Sequence, residues 1–246
     1  MKILFALCLS FLVTSVHAGN IDAKVEAALA AEGRPEADIA RDWNRMPLET
    51  LNFFGLEDDM RVLELLPGRG WYTRVLAPVL ADNGKLYVAL NTRRVEENIV
   101  PLPGFGNIEV LETNDNTRRP EGERLYTLDP FDFGVRDLDM VLTFRNVHNF
   151  GEKGRMLLHR ESFEALKSGG IYGIVDHTRR HMEGDNYENR RRIDPVLVIK
   201  EVQEAGFEFV DYSDLHYRAD DELQYEVGRR SVSGNTDRFT FLFRKP

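Results

Sequence analysis

The sequence predicts an α/β protein in which a mostly parallel sheet carries helices on both faces and follows an N-terminal helical extension. Short runs of apolar, β-favouring residues alternate with amphipathic segments of helical spacing along most of the 246-residue chain. The order is helices, then five strand–helix units, then two closing strands, and this alternation is typical of parallel sheets. No internal repeat or low-complexity segment interrupts it, which favours a single domain.

The composition limits the kinds of partner that the protein can bind. The chain has a formal net charge of −9, and 42% of its residues are hydrophobic, which is enough for a sizeable core. It lacks the basic character that binding to nucleic acid requires. We therefore expect no nucleic-acid partner, and the sequence gives no sign of a protein partner.

Residues 1–18 have the pattern of a secretory signal peptide. Lys2 supplies a positive charge, residues 3–13 are almost wholly apolar, and residues 16–18 are suited to cleavage after Ala18. A short membrane anchor is the alternative, but the apolar run is shorter than the ~20 residues that a spanning helix needs. The prediction is an exported protein, periplasmic or secreted, without stable membrane insertion after cleavage.

Cysteine and metal chemistry receive no support from the sequence. The single cysteine, Cys8, lies inside the predicted signal peptide, so the mature chain would have no disulfide, thiolate ligand or cysteine nucleophile. The six histidines are scattered, and none is paired with carboxylates at the spacing of metal ligands. No metal site is predicted.

Two predicted helical segments, 20–31 and 38–54, form a cap before the first strand. Both have apolar residues at helical spacing, and the second carries Trp43, Phe53 and Phe54. Large aromatic side chains are usually buried, so one interpretation packs these three residues on the sheet. The other makes part of the segment a wall of the ligand pocket.

A glycine turn follows the first predicted strand. Apolar residues lead to Glu64, Pro67-Gly68-Arg69-Gly70 forms the turn, and apolar positions 72, 76 and 80 predict the next helix. Because glycine has no Cβ, the backbone N–H groups of such a turn can lie close to a ligand at the helix N-terminus. The alternative is that the glycines only make a tight turn.

Polar residues follow the next two predicted strands. Asn91 ends the strand at 84–91, where nucleoside-binding α/β proteins usually have an acid for the ribose hydroxyls. The strand at 107–112 leads into Asn114 and Asp115, which either reach a base edge or serve as turn formers.

The fourth predicted strand, 139–144, ends in a cluster of hydrogen-bonding side chains, which are Arg145, Asn146, His148 and Asn149. Open α/β sheets bind their ligands at the carboxyl ends of the strands, so these residues are candidates for the site. A solvated polar loop is the alternative.

The rest of the chain contains further elements and one insertion. Residues 179–192 are polar and of mixed charge, which fits either a solvated loop or a lid that recognises the substrate. The other predicted elements are a helix over 154–167 stopped by 168–170, a strand over 171–175 ending on Asp176-His177, a helix from Asp194-Pro195 to Gly206, and strands over 207–212 and 238–244.

These motifs together resemble the class I S-adenosylmethionine-dependent methyltransferases, and within them the exported, predicted methyltransferases that carry an acid followed by Pro-Gly-x-Gly-Trp-Tyr-Thr. Glu64 is that acid, residues 67–73 are the motif, and residues 53–56 and 145–148 match as well. Two positions depart from the pattern. Leu66 stands where the wider family has its first glycine, and Asn91 replaces the ribose-binding acid.

The resemblance covers residues 38–246 and implies a Rossmann-like, seven-stranded sheet with an antiparallel last strand. The implied organisation is a single methyltransferase-like domain over residues 19–246, with a helical cap over 19–60 and the core over 61–246.

The resemblance also implies a cofactor and a set of site residues. S-adenosyl-L-methionine would donate a methyl group to a small-molecule substrate, and Arg145, Asn146 and His148 would face it. His148 would accept a proton from an oxygen or nitrogen acceptor, with the Asp176-His177 pair as a second candidate base. The implied cofactor-binding residues are Glu64, Pro67, Gly68, Gly70, Trp71, Tyr72, Asn91, Asn114 and Asp115.

Two other functions are compatible with this sequence. A noncatalytic protein that binds a nucleoside or another ligand would keep the fold without the activity, and predicted export favours it because the cofactor is made in the cytoplasm. An NAD-dependent oxidoreductase is disfavoured because the three-glycine fingerprint and the acid about twenty residues later are absent. An antiparallel last strand beside the fifth would favour the methyltransferase class over a dehydrogenase.

Overall fold

The structure is a computed structural model that describes residues 18–113 and 117–246. The predicted signal peptide, apart from Ala18, lies outside this part of the chain, as do Asn114 and Asp115. None of the described helices combines the length and the apolar character needed to cross a lipid bilayer.

Within the described residues, a seven-stranded sheet forms the centre of the fold. The strands are β1 (Arg61–Leu65), β2 (Lys85–Ala89), β3 (Ile108–Val110), β4 (Leu138–Phe144), β5 (Leu166–His177), β6 (Glu208–Ser213) and β7 (Arg238–Arg244). Their order across the sheet is β3-β2-β1-β4-β5-β7-β6. Strands β1 to β5 are parallel, whereas β7 lies antiparallel between β5 and β6. This arrangement confirms the predicted sheet and argues against the dehydrogenase alternative.

Helices cover both faces of this sheet. They are α1 (Ala18–Ala30), α2 (Glu36–Ile39), α3 (Asp42–Arg45), α4 (Pro47–Phe54), α5 (Thr73–Val79), α6 (Arg93–Asn98), α7 (Glu152–Ala165) and α8 (Pro195–Glu204). A single 3-10 turn, Val147–Asn149, follows β4. Helix α8 begins as its sequence predicts, because the Asp194 side chain accepts a hydrogen bond from the Val196 N–H at 2.9 Å.

The core lies on both faces because alternate strand residues point to opposite sides of a sheet. In β1, Val62 belongs to the core cluster with α1, α4 and α5, whereas Leu63 and Leu65 belong to the cluster with α7 and α8. Glu64 therefore shares the face of Val62, and its carboxyl group points towards α5 and the N-terminal cap.

The cap differs in part from its prediction. The second predicted segment is divided into α2, α3 and α4. Phe54 is buried on the sheet and Phe53 is partly buried against the same cluster, but Trp43 is 64% exposed. The expectation that Trp43 packs on the sheet was wrong, since Trp43 lies in the four-residue helix α3 on a face turned away from the core.

Two other expectations need correction. No helix lies between β3 and β4 in the described part of that connection, so the predicted strand–helix alternation is incomplete there. Strand β5 begins at Leu166 instead of residue 171. The segment 168–170 continues the strand because Gly169 and Gly170 exchange backbone hydrogen bonds with Lys245, next to β7.

Candidate functional site

The turn after β1 has left-handed backbone conformations at alternate residues. The φ angles are 52° at Leu66, 62° at Gly68 and 75° at Gly70. Such a conformation costs a residue other than glycine roughly 1–2 kcal/mol. Residue 66 therefore has the left-handed conformation that glycine favours, although it is a leucine.

The two glycines of this turn serve different purposes. A Cβ added to Gly70 would lie 2.1 Å from Cδ1 of Ile99, so any other residue here would have to displace that side chain. A Cβ added to Gly68 would meet no atom closer than 4.0 Å, the Leu66 carbonyl oxygen. Gly68 therefore has open space beside its backbone, which a ligand can use.

Glu64 lies at the carboxyl end of β1 with its side chain buried. Its Oε2 accepts a hydrogen bond from the Thr73 hydroxyl at 2.6 Å. Burial raises the pKa of Glu64 to about 7, although the Thr73 hydrogen bond and the charge of Arg45 oppose the shift. A positively charged ligand group beside it would favour the ionised form.

A cavity of about 220 Å³, here called the turn cavity, opens at the ends of β1 and β4. Its lining includes the predicted residues Glu64, Pro67, Gly68, Trp71, Tyr72, Arg145 and Asn146, together with Asp38, Arg45, Leu65, Leu66, Arg69 and Phe144. Asp38 and Arg45 belong to the cap, which supports the interpretation of that segment as a pocket wall.

Asn146 connects the end of β4 to the glycine turn. Its Nδ2 donates hydrogen bonds at 3.1 Å to the carbonyl oxygens of Leu66 and Phe144. A side chain held in this way positions the strained turn relative to β4, so Asn146 has a structural task beside any contact with a ligand.

Aromatic side chains form the floor of the turn cavity. The rings of Tyr72 and Phe144 stack with centroids 3.5 Å apart. The indole N–H of Trp71 donates to the Asp38 carbonyl oxygen at 2.9 Å, and the Arg45 guanidinium lies 4.4 Å from the Trp71 ring centroid. These contacts attach the cap to the start of α5.

His148 pairs with Asp176, although the sequence suggested Asp176 and His177 as a pair. His148 Nδ1 lies 2.5 Å from Asp176 Oδ1, and the backbone N–H of His148 donates to Asp176 Oδ2 at 3.1 Å. His177 instead has its Nδ1 3.0 Å from the Thr236 hydroxyl, and burial lowers its pKa well below the usual value. A carboxylate at Nδ1 leaves Nε2 as the basic nitrogen of His148.

A second cavity of about 530 Å³, here called the loop cavity, lies beside His148. It is bounded by residues 119–126 from the β3–β4 connection and by Asp185, Tyr187, Arg190 and Arg191 of the polar insertion. Four residues of the insertion thus form one wall of a cavity next to the candidate base.

The remaining predicted residues are placed less favourably or lie outside the described chain. Asn91 is exposed, has a φ angle of 55° and does not line the turn cavity. Among the described residues, no group of three or more histidine, cysteine, aspartate or glutamate side chains is arranged to bind a metal ion.

The sequence did not indicate two features of the site. Arg45 lines the turn cavity, and Asp176 contacts His148 across 28 positions of sequence. One signal was available: Asp176 ends the strand that neighbours β4, so both residues come from the same edge of a parallel sheet.

Solved structures have a similar fold. A SAM-dependent methyltransferase from Aquifex aeolicus superposes with a TM-score of 0.58 at 17% identity, over 91% of this chain and 98% of that one. The chain has the class I methyltransferase fold. The glycopeptide N-methyltransferase MtfA, solved with sinefungin, gives a TM-score of 0.54 at 14% identity over 83% of this chain and 94% of that one.

The same fold occurs in a protein named for another reaction. The cyclase SpnF superposes with a TM-score of 0.56 at 16% identity, over 92% of this chain and 93% of that one. No protein-family model and no curated protein matches the sequence. The function must therefore be argued from the site, since a shared fold does not determine a reaction.

Proposed function

We propose that the protein is an exported S-adenosyl-L-methionine-dependent methyltransferase that acts on a small-molecule acceptor. The observation that carries the proposal is the turn cavity, where open backbone at Gly68 and the buried carboxyl group of Glu64 meet at the ends of β1 and β4. Methyltransferase relatives in fold, one of them solved with sinefungin, support it.

The residues of the turn cavity suit the amino-acid part of this cofactor. Gly68 allows close approach to the backbone, and Glu64 offers an acceptor for a cationic amino group. Binding such a cation would favour ionised Glu64, so we expect proton release on binding. The exposed Asn91 leaves the ribose contact as a prediction from the resemblance.

When bound, the cofactor supplies a methyl group that passes from a sulfonium sulfur to the nucleophilic atom of the acceptor. The task of the protein is to align the two reactants and to receive the acceptor's proton. His148 is the proposed base, with Nε2 as the receiving atom because Asp176 contacts Nδ1. His148 lines the loop cavity, so the proposed base borders open space.

Calorimetric titration of the purified protein tests the proposal. We expect S-adenosyl-L-methionine to bind and NAD to give no heat. Gly68→Leu should abolish binding because its side chain would enter the turn cavity. Gly55→Leu is the matched control, since Gly55 has a φ angle of 72°, has equally open surroundings and lies outside the cavity.

The outcomes separate the alternatives. Absence of binding to S-adenosyl-L-methionine would refute the proposal, and equal loss in both glycine variants would show that folding, not the cavity, had changed. Binding without production of S-adenosylhomocysteine across a broad acceptor panel would favour a noncatalytic ligand-binding protein, or a protein that uses this fold for another reaction, as SpnF does.

A further inference from the structure

Two buried arginines, Arg45 and Arg238, and the partly buried Arg145 lie near enough to Tyr72 for their charges to act on its hydroxyl group. Arg45 and Arg145 line the turn cavity, and Arg238 lies behind them at the start of β7. Arg45 is 9% exposed and Arg238 is 4% exposed. This local concentration of positive charge stands out in a chain whose formal net charge is −9.

These arginines lack the acidic partners that buried arginines have elsewhere in the described chain. Arg155 makes hydrogen bonds of 2.6 and 2.7 Å to Glu201, and Arg192 lies 2.9 Å from Asp221. In contrast, Nε of Arg45 and Nε of Arg238 are buried without a hydrogen-bond partner among the described residues.

The contacts that these arginines do make leave their charges uncompensated. Arg45 stacks on Trp71, and Arg238 donates to the carbonyl oxygen of Asn44. Burial, together with the charge of Arg145, lowers the pKa of Arg45 to about 9, and the same two causes lower that of Arg238 to about 9. Buried polar groups are nearly always paired, and an unpaired charge is costly, so this cluster suits an anion.

The acids around the cluster are already engaged. Glu64 accepts from Thr73 and has a pKa near 7, and Asp38 lies 3.9 Å from Arg74. Asp176, which opposes the pKa shift of Arg145, contacts His148. The described protein therefore offers the three guanidinium groups no dedicated counterion.

The charge of the cofactor increases the shortage of negative charge around these arginines. S-adenosyl-L-methionine carries a sulfonium, an ammonium and one carboxylate, so its binding adds net positive charge to this region. From this we infer that Arg45 and Arg145, reinforced by the charge of Arg238 behind them, bind an anionic group, a carboxylate or a phosphate, of the methyl acceptor. The assignment to the acceptor rests on the proposed function, whereas the anion site itself does not.

The surroundings narrow the chemistry of the ligand. The aromatic residues Trp71, Tyr72 and Phe144 line the same cavity as Arg45 and Arg145. An apolar body with an anionic group would contact these rings and place its charge on the guanidinium groups. Benzoate is a simple probe for a carboxylate, inorganic phosphate is the probe for the other anion, and benzamide is the uncharged control.

Calorimetry and thermal unfolding without cofactor test the anion site. We expect benzoate or phosphate, but not benzamide, to bind and to raise the Tm of the wild-type protein. Arg145→Met should weaken this binding by about tenfold or more, the effect of one charge-assisted hydrogen bond. It should also raise the Tm of the anion-free protein, because an unpaired buried charge is removed.

The matched control is the double variant Arg155→Met/Glu201→Leu, which removes a buried arginine together with its partner and should bind the anions as the wild type does. Equal anion binding by wild type and Arg145→Met would overturn the proposal, and so would equal binding of benzoate and benzamide. If Arg145→Met does not fold, Arg45→Met gives the same comparison.

A second experiment distinguishes an anionic group of the acceptor from the carboxylate of the cofactor. We expect Arg145→Met to change the affinities for S-adenosyl-L-methionine and for decarboxylated S-adenosylmethionine by the same factor, because the carboxylate is the group in which the two ligands differ. If this variant loses affinity for S-adenosyl-L-methionine but not for decarboxylated S-adenosylmethionine, the arginines bind the cofactor's carboxylate and the assignment to the acceptor is overturned. Anion binding without any cofactor binding would refute the methyltransferase proposal, and with it the acceptor, while leaving the anion site intact.

Discussion

At the scale of single residues, the His148–Asp176 contact is the arrangement with the clearest chemical use. Asp176 is fully buried and accepts from the His148 and His177 N–H groups as well as contacting His148 Nδ1. A carboxylate held in this way fixes both the orientation and the tautomer of the imidazole.

His148→Gln should lower the rate of methyl transfer by about 10²–10⁴-fold, the usual contribution of a general base, while leaving the affinity for S-adenosyl-L-methionine unchanged. The measurement is production of S-adenosylhomocysteine with an acceptor that supports turnover by the wild type. The control is His181→Gln, at a largely exposed histidine outside both cavities. An unchanged rate in His148→Gln would show that another group, or none, removes the proton.

The candidate site could be predicted from sequence only where residues are local to one turn. The glycine turn and the residues after β4 were found because strand, turn and helix follow one another along the chain. Arg45 and Arg238 come from the cap and from β7, and both meet Tyr72 only in the folded molecule. Neither residue belongs to a local pattern that indicates such a contact.

At the scale of elements, a buried ion pair joins helices α7 and α8. Arg155 of α7 binds Glu201 of α8 through two hydrogen bonds, and its Nη1 donates to the Phe150 carbonyl oxygen at 2.8 Å. Breaking one partner of such a pair leaves a buried charge alone, whereas replacing both partners with apolar residues is often neutral.

Arg155→Met should therefore lower the free energy of unfolding by about 3–5 kcal/mol, and Arg155→Met/Glu201→Leu should recover most of that loss. Urea denaturation of the wild type, both single variants and the double variant completes the cycle. Losses that simply add in the double variant would mean that the two side chains do not interact in solution.

At the scale of the whole molecule, buried neutral histidines link stability to pH. Burial lowers the pKa values of His159 and His216 to about 3, reinforced by the charges of Arg155 and Arg238 respectively. Both values lie below the ordinary histidine pKa, so the unfolded chain binds more protons at acidic pH. The contribution of these two neutral histidines to the free energy of unfolding is present above about pH 6.5 and is lost as the pH falls.

His159→Phe should reduce this dependence, because it removes one of the groups that must stay neutral. Between about pH 7.5 and about pH 5, we expect its free energy of unfolding to fall about 2 kcal/mol less than that of the wild type. Urea denaturation at several pH values gives both profiles. Parallel profiles for the wild type and His159→Phe would contradict the assignment.

The fold was more accessible to sequence reasoning than the site. Periodic apolar residues predicted all seven strands. Each strand pairs within the sheet, and all except β6 have buried residues. The glycines at 169 and 170 suggested a helix stop and a loop, yet pairing next to β7 kept them in the strand. Pairing between distant segments overrode a local signal there.

The position of β7 also has a consequence during synthesis of the chain. Strand β7 lies between β5 and β6 but follows both in the sequence. Until residues 238–244 leave the ribosome, β5 has an unpaired edge and β6 has no neighbour in the sheet. Unpaired edges recruit other chains, so a nascent chain that pauses before this segment is the form most prone to aggregation.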